Sequence, residues 1–382
     1  MIGGVQVSRV LTDLVKIESV NPELVPGGKG EGAFARYVAD FLKAAGLEVQ
    51  LQEVRPDRFN AVGVLRGRGG GKSLMLNGHL DTVGVAGMED PFSARVEDGR
   101  LYGRGAQDMK GGLAAGLVAV AQLAKEPRLD GDVVLAAVAD EEHQSAGTRA
   151  LLREVRTDAA IVMEPTGLEV VTAHKGFVWA EVETEGRAAH GSRPEEGRDA
   201  IAFMGRVLRE IELLQGELDA GPRHPLLGCG SVHASLISGG QELSSYPGQC
   251  RLSLERRLIP GEDSGVLERE LHEIILRLSA QDPRFRARFA LGYSALPLET
   301  PRETPVARAL AQCASKVTGR EASFGTQSFW SDAALLSGAG IPSVLFGPGG
   351  MGLHSAEEYV RIEDVRLCAE TLAECARMFC RT

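Results

Sequence analysis

Asp132 to Val138 reads Asp-Val-Val-Leu-Ala-Ala-Val, a continuous apolar run, and just beyond it stand Asp140, Glu141 and Glu142. A strand with no polar face has to be covered on both sides, as strands of a parallel sheet between helices are. Ligand sites in such sheets collect at the carboxyl ends of the strands, and adjacent acids beside an apolar strand are costly unless they are used. One segment therefore points both to an α/β sheet and to the end of it where chemistry belongs.

The flanking chain has the matching periodicities. Gln6 to Ile17 is helical and stops before Asn21-Pro22. Glu31 to Ala45 lines one face with Phe34, Val38, Phe41, Leu42 and Ala45 and ends at Gly46, a C-cap. Leu47, Val49 and Leu51 alternate as a strand does; Asn60 to Leu65 and Ser73 to Leu76 read as further strands, and Leu113 to Leu123 as a helix. The pattern changes near His174. Phe177 to Thr184 and Gln249 to Leu258 are half-polar alternating strands, each followed by a helix, Asp199 to Leu214 and Asp263 to Leu278. This predicts a small α+β domain over 175–290, inserted into an α/β catalytic domain formed by 1–174 and 291–382. The α/β character returns with a helix around 304–317 and a strand at Ile341 to Phe346.

A length of 382 residues agrees with two domains, and a net charge of −10 argues against a nucleic-acid partner. No apolar stretch is long enough to span a membrane, and no basic segment followed by an apolar one opens the chain. The six cysteines form no C-x-x-C pair. Free thiols without an export signal predict a cytoplasmic location.

Five short segments hold the polar residues that invite a chemical reading. In Leu76-Asn77-Gly78-His79-Leu80-Asp81-Thr82, a His and an Asp two apart on extended chain can face one side, so the carboxylate can steady a metal-bound imidazole. A capping His and a turn Asp fit that segment equally well. Gly103 to Gly112 crowds glycines around Asp108 at a strand-to-helix junction, where an N-capping Asp is the simpler reading. Asp140-Glu141-Glu142 is the third segment, Glu164 before Pro165-Thr166 the fourth, and His354-Ser355 after Gly347-Pro348-Gly349 the fifth. Together they put two histidines and several carboxylates at expected strand ends. Such donors suit zinc and its neighbours, and two metals sharing one carboxylate need about this many. Asp81 and Glu141 remain for orientation and proton transfer. Gly67 to Ser73 nearly spells a phosphate-binding loop, but the first required glycine is Arg66 and the segment leads into a strand. No G-x-S-x-G is present.

In this order the segments resemble the zinc aminoacylase/carboxypeptidase metallopeptidase family that includes acetylornithine deacetylase, succinyl-diaminopimelate desuccinylase and glutamate carboxypeptidase. The match runs from Ser19-Val20-Asn21-Pro22 to His354. The resemblance implies a mixed-sheet di-zinc catalytic domain with an inserted lid and dimerisation domain. It implies that His79, Asp108 and Glu164 hold one zinc and Asp108, Glu142 and His354 the other, with cobalt or manganese as substitutes. Asp81 would steady His79, Glu141 would be the general base, and a cis peptide would follow Asp108. In the lid, Gly186 to Pro194 carries His190, matched to a histidine that reaches the partner subunit's site and binds the oxyanion. Arg257 matches the arginine for the substrate carboxylate; a solvated strand arginine is its competitor. Ser244 stands where the family often has Asn, and Glu255 where it has Asp. The implied activity is deacylation of an N-acyl amino acid in a homodimer acting on a small carboxylate-bearing substrate. A carboxypeptidase or dipeptidase of the same family and a catalytically inactive binding relative are the alternatives.

Overall fold

The computed structural model describes residues 2–85 and 87–381. It divides into two compact units. The first comprises the chain up to Thr172, Thr300–Thr326 and Ser331 onward; the second comprises Ala173–Glu299 and Gln327–Trp330.

The sheet of the first unit runs, in order, Glu48–Arg55, Arg58–Leu65, Val133–Val138, Leu74–His79, Ala159–Val162, Ser343–Leu345 and Val170–His174. The sheet is mixed. Val133–Val138 is buried at every position, but it pairs parallel with Leu74–His79 and antiparallel with Arg58–Leu65, so its surroundings are not those of a purely parallel sheet. Five helices, Gly4–Lys16, Gly32–Ala44, Gly111–Leu123, Pro305–Thr318 and Ile362–Phe379, contribute to one continuous apolar core with these strands. Gly111–Leu123 is buried almost all round, which its Ala-, Leu- and Val-rich sequence permits. Cys368 and Cys375 are fully buried in the last helix and pack as small apolar side chains. A small antiparallel sheet, Gly350–Met351, Tyr359–Arg361, Arg100–Tyr102 and Arg95–Glu97, ties two distant loops together. Among the described residues no helix is long and apolar enough to cross a membrane.

The second unit is a four-stranded antiparallel sheet in the order Ser231–Gly239, Gln249–Leu258, Gly176–Glu185 and Ala287–Ala295, with the helices Ala200–Ala220 and Ser264–Gln281. Asp199 and Asp263 cap those helices, accepting from the backbone N–H of Ala202 and Gly265 at 2.9 Å each. Val178, Ala180, Val182, Leu252 and Leu254 face Phe203, Val207, Leu267 and Leu271 in its own core. Two features differ from the expectation. Ser231–Gly239 is exposed beyond Val232, and the boundary expected at 290 falls inside Ala287–Ala295. That strand pairs with Gly176–Glu185, so the insertion continues to Glu299.

Strand alternation sends neighbouring arginines to opposite faces. Arg256 is fully buried on the helix side and donates to Glu262 at 3.1 Å and to Glu270 at 3.2 Å. Arg257 lies on the open side, partly exposed. Arg256→Ala should lower unfolding stability in urea by about 3 kcal/mol, the lower end for a broken buried pair because both glutamates keep some solvent. Arg257→Ala should cost under about 1 kcal/mol.

Candidate metal centre

Three of the five proposed ligands sit at or just past the end of a strand, and the other two in a turn and a loop. His79 is the last residue of Leu74–His79, Glu142 lies four residues beyond Val133–Val138, and Glu164 two beyond Ala159–Val162. Asp108 sits in the single turn Ala106–Lys110, entered through Gly105 at φ 78°, and the Asp108–Met109 peptide is cis. His354 is in the loop before Tyr359–Arg361, with its side chain half exposed. Their donor atoms form two groups. Those of His79, Asp108 and Glu164 lie within 4.8 Å of one another, and so do those of Asp108, Glu142 and His354. Asp108 belongs to both, with Oδ1 3.0 Å from His79 Nε2 and Oδ2 3.4 Å from His354 Nε2.

Two imidazoles and three carboxylates with one carboxylate in common fit a pair of divalent cations. The surroundings agree. Glu142 Oε1 is buried and accepts no hydrogen bond among the described residues. Burial, with the charges of Asp108 and Glu142 alongside, pushes Glu164 well above the usual carboxylate range against the pull of His79. Glu141 is driven the same way by burial and by Glu164, Asp332 and Glu142. The glycines around Asp108 permit this crowding: a Cβ on Gly112 would stand 1.9 Å from the carbonyl oxygen of Met163, the residue before Glu164.

The tautomer of His79 is fixed. Its Nδ1 is 2.9 Å from the Asp81 carbonyl oxygen, which can only accept, so in the neutral ring Nδ1 carries the proton and Nε2 keeps its lone pair. The Asp81 carboxylate, expected to steady this ring, is 3.7 Å from it and has a larger task. It accepts the backbone N–H groups of Glu141 at 3.0 Å and Glu142 at 3.1 Å, and the Asn21 amide at 2.8 Å. Asn21 also donates to Asp140 at 3.1 Å, and Arg58 joins Asp140 to the buried Glu31. A buried network thus sets the turn that carries Glu141 and Glu142.

Glu358 stands in none of the five segments. It is 1% exposed; one oxygen accepts from Arg104 at 2.7 Å and the Gly105 N–H at 3.0 Å, the other from the N–H groups of Gln107 at 2.9 Å and Asp108 at 3.1 Å. A single carboxylate therefore holds the turn that presents Asp108. Asp332, also buried and bonded by Thr148 at 2.5 Å, was missed as well.

In the second unit, His190 and Ser244 come together: the Gly191 N–H donates to the Ser244 carbonyl at 2.6 Å, and both residues are exposed. The Ser192 N–H donates to His190 Nδ1 at 3.2 Å, so in the neutral ring the proton is on Nε2. Arg257 Nε donates to Glu255 at 2.6 Å.

Glu358→Ala should weaken metal binding roughly 10–100-fold with the fold intact, as loss of a group that orients a ligand does. Competition with a chromophoric chelator measures this, and circular dichroism checks the fold.

The comparisons agree with this geometry. The model of peptidase family M20/M25/M40 matches residues 75–378. An acetylornithine deacetylase of Myxococcus xanthus is 34% identical over 360 residues, covering 90% of this chain and 91% of that protein. An N-formyl-4-amino-5-aminomethyl-2-methylpyrimidine deformylase of Halalkalibacterium halodurans is 28% identical, covering 95% and 92%. A tripeptidase structure from Staphylococcus aureus shares the fold with a TM-score of 0.82 at 20% identity, covering all of both chains. An M20 metallo-carboxypeptidase from Sulfolobus solfataricus does so with a TM-score of 0.79 at 19% identity, covering 98% and 99%. With its donor residues gathered at the strand ends, the chain belongs to peptidase family M20/M25/M40 and is a hydrolase of amide bonds.

Proposed function

We propose that the protein is a di-zinc deacylase that removes the acyl group from an N-acyl amino acid. The observation that carries this reading is the shared Asp108, common to two complete donor groups, with Glu141 set in the turn beside Glu142. Two zinc ions at His79, Asp108, Glu142, Glu164 and His354, with cobalt or manganese as substitutes, would supply Lewis acidity and a water acidified toward neutrality. Glu141 takes a proton from the attacking water and returns it to the leaving nitrogen as the C–N bond breaks. Burial raises the proton affinity of Glu141, which suits a group that must both accept and donate. His190 donates from Nε2 to the developing oxyanion, Arg257 receives the substrate carboxylate, and Ser244, beside His190, contributes to substrate binding. The deacetylase and deformylase relatives favour deacylation over cleavage of small peptides, and no donor is missing as an inactive binding relative would allow. Buried thiols favour the cytoplasm.

The active form is read as a homodimer joined through the second unit, with His190 serving the partner subunit's centre. Support comes from the edge strand Ser231–Gly239. It pairs on one side only, and it exposes Leu236 at 72% and Ile237 at 55%. An unprotected apolar edge invites strand pairing, and two such edges meeting about a two-fold axis bury each other.

Hydrolysis of N-acetyl amino acids should stop with a chelator and return with zinc. Glu141→Gln should lower turnover roughly 10²–10⁴-fold while elemental analysis still finds metal; loss of metal would exchange the roles of Glu141 and Glu142. Arg257→Ala should lower kcat/KM by about an order of magnitude or more, the range for losing a charged hydrogen-bond partner. Mixed His190→Ala and Glu141→Gln chains, allowed to exchange subunits, should regain activity, because each mixed dimer keeps one site with both groups. Confirmed exchange without recovered activity would place His190 in its own chain's reaction or none.

A further inference from the structure

The open face of the second unit's sheet carries a concentration of aromatic side chains that the deacylase chemistry does not use. Phe177 is its hub. Its ring lies 5.3 Å from Trp179, 5.8 Å from Tyr293 and 6.3 Å from Trp330, centroid to centroid. Trp179 and Tyr293 are 6.0 Å apart. Both tryptophans of the chain are in this group, although aromatic residues make up only 5% of the sequence. Trp179 remains 46% exposed, and Phe177, Tyr293 and Trp330 are partly exposed. Rings gathered for stability alone belong in the helix-covered core, where the other face of this sheet packs.

The backbone is shaped to hold the group. The pairing of Ala287–Ala295 with Gly176–Glu185 slips between Leu291 and Ser294, so that Gly292 and Tyr293 stand opposite Trp179 alone. Such a bulge re-aims a side chain, and here the redirected one is Tyr293. Trp330 is fixed by its indole N–H to the Leu296 carbonyl at 2.9 Å.

A guanidinium completes the face. Arg257 lies over the Phe177 ring, 5.4 Å from its centroid. Glu255 binds Arg257 Nε with one oxygen and the Trp179 indole N–H, at 2.9 Å, with the other. One carboxylate therefore locks the arginine to the aromatic group, and a glutamate has two oxygens on an arm long enough to reach both. Neither Nη of Arg257 makes a hydrogen bond among the described residues. The free end of the guanidinium is a two-pronged donor suited to a carboxylate.

The geometry points to a subsite for a carboxylate joined to an aromatic ring: the preferred substrates are N-acyl amino acids bearing an aryl group, the carboxylate on Arg257 and the ring against Trp179 and Phe177. This rests on the deacylase reading and narrows it. A cationic side chain is disfavoured there, because the Arg257 guanidinium already occupies the face of Phe177. The aryl group can come from the amino-acid side chain or from the acyl group, and the test separates the two.

Four substrates decide it: N-acetylphenylalanine, N-benzoylglycine, N-acetylornithine and N-acetylglycine. One or both aryl substrates should exceed N-acetylglycine and N-acetylornithine in kcat/KM by roughly tenfold or more, the discrimination an apolar pocket provides. Whichever aryl substrate leads identifies the ring's origin. Trp179→Ala and Phe177→Ala should collapse the aryl-to-glycine ratio toward one. Binding is read independently from tryptophan fluorescence, since both reporters are in the group. 3-Phenylpropionate should give a saturable change that propionate and 3-phenylpropionamide do not, and Arg257→Ala should abolish it. Equal kcat/KM for all four substrates, an aryl preference that survives both alanine variants, or a fluorescence signal indifferent to the carboxylate would overturn the subsite. A saturable, carboxylate-dependent signal in an enzyme that cleaves none of the four would instead uphold the subsite and reject the deacylase reading.

Discussion

The arrangement of the centre depends on what the Asp81 carboxylate accepts. Its two oxygens take the N–H groups of Glu141 and Glu142 and the amide of Asn21, three hydrogen bonds to one buried carboxyl group. Burial pushes Asp81 up to about 7 against the pull of His79 and the Asn21 amide, and the backbone N–H groups it accepts are in return fixed in their turn. Here the turn is the one that separates the proposed base from a proposed ligand by a single residue. Adjacent side chains on extended backbone would point apart; a turn clamped at both amides gives each its own direction. The same device recurs at Glu358, whose carboxylate gathers three N–H groups around Asp108. Two buried acids that touch no substrate thus position the acids proposed to do the chemistry.

How much of this was legible depended on how local the signal was. His79, Glu142 and Glu164 follow apolar strands within a few residues, so the strand pattern and the polar exception were read together. Glu358 follows a loop, and its partner Asp108 is 250 residues away in the chain, so no window contains both. The strand Ser231–Gly239 escaped because its side chains past Val232 meet solvent on both faces, which leaves no alternation to detect. Ala287–Ala295 does alternate, with Ala287, Phe289, Leu291 and Tyr293 less exposed than their neighbours, so its period of two is present in the sequence. The boundary at 290 cuts across that alternation. Trp330 reaches Phe177 only through tertiary structure, and nothing in its own segment marks it.

Arg256 and Arg257 show how little a residue type says without its face. Chemically identical and adjacent, they divide between a buried ion-pair network and an open aromatic face because a strand alternates. Arg256 has its donors consumed by Glu262, Glu270 and the Arg257 carbonyl. Arg257 has one nitrogen consumed and the rest presented. The register of Gln249–Leu258, set by its pairing with Gly176–Glu185, decides which arginine can meet a ligand. A one-residue slip would bury the reader and expose the brace.

His79 and His190, two of the three histidines with proposed chemical roles, are held in opposite tautomers, each with a backbone group whose polarity is fixed at Nδ1. At His79 a carbonyl oxygen faces Nδ1 at 2.9 Å, so the ring must donate there and keep the Nε2 lone pair for a metal. At His190 the Ser192 hydroxyl at 2.8 Å and the Ser192 backbone N–H at 3.2 Å both face Nδ1, and since the N–H can only donate, the neutral ring accepts there and keeps a proton on Nε2. A metal ligand and an oxyanion donor need these opposite states. Side-chain partners would leave the choice open, since hydroxyls rotate and carboxyls titrate. A peptide group does neither. In both cases the backbone fixes the ring's role before substrate or metal arrives, and that is the preorganisation on which electrostatic catalysis depends.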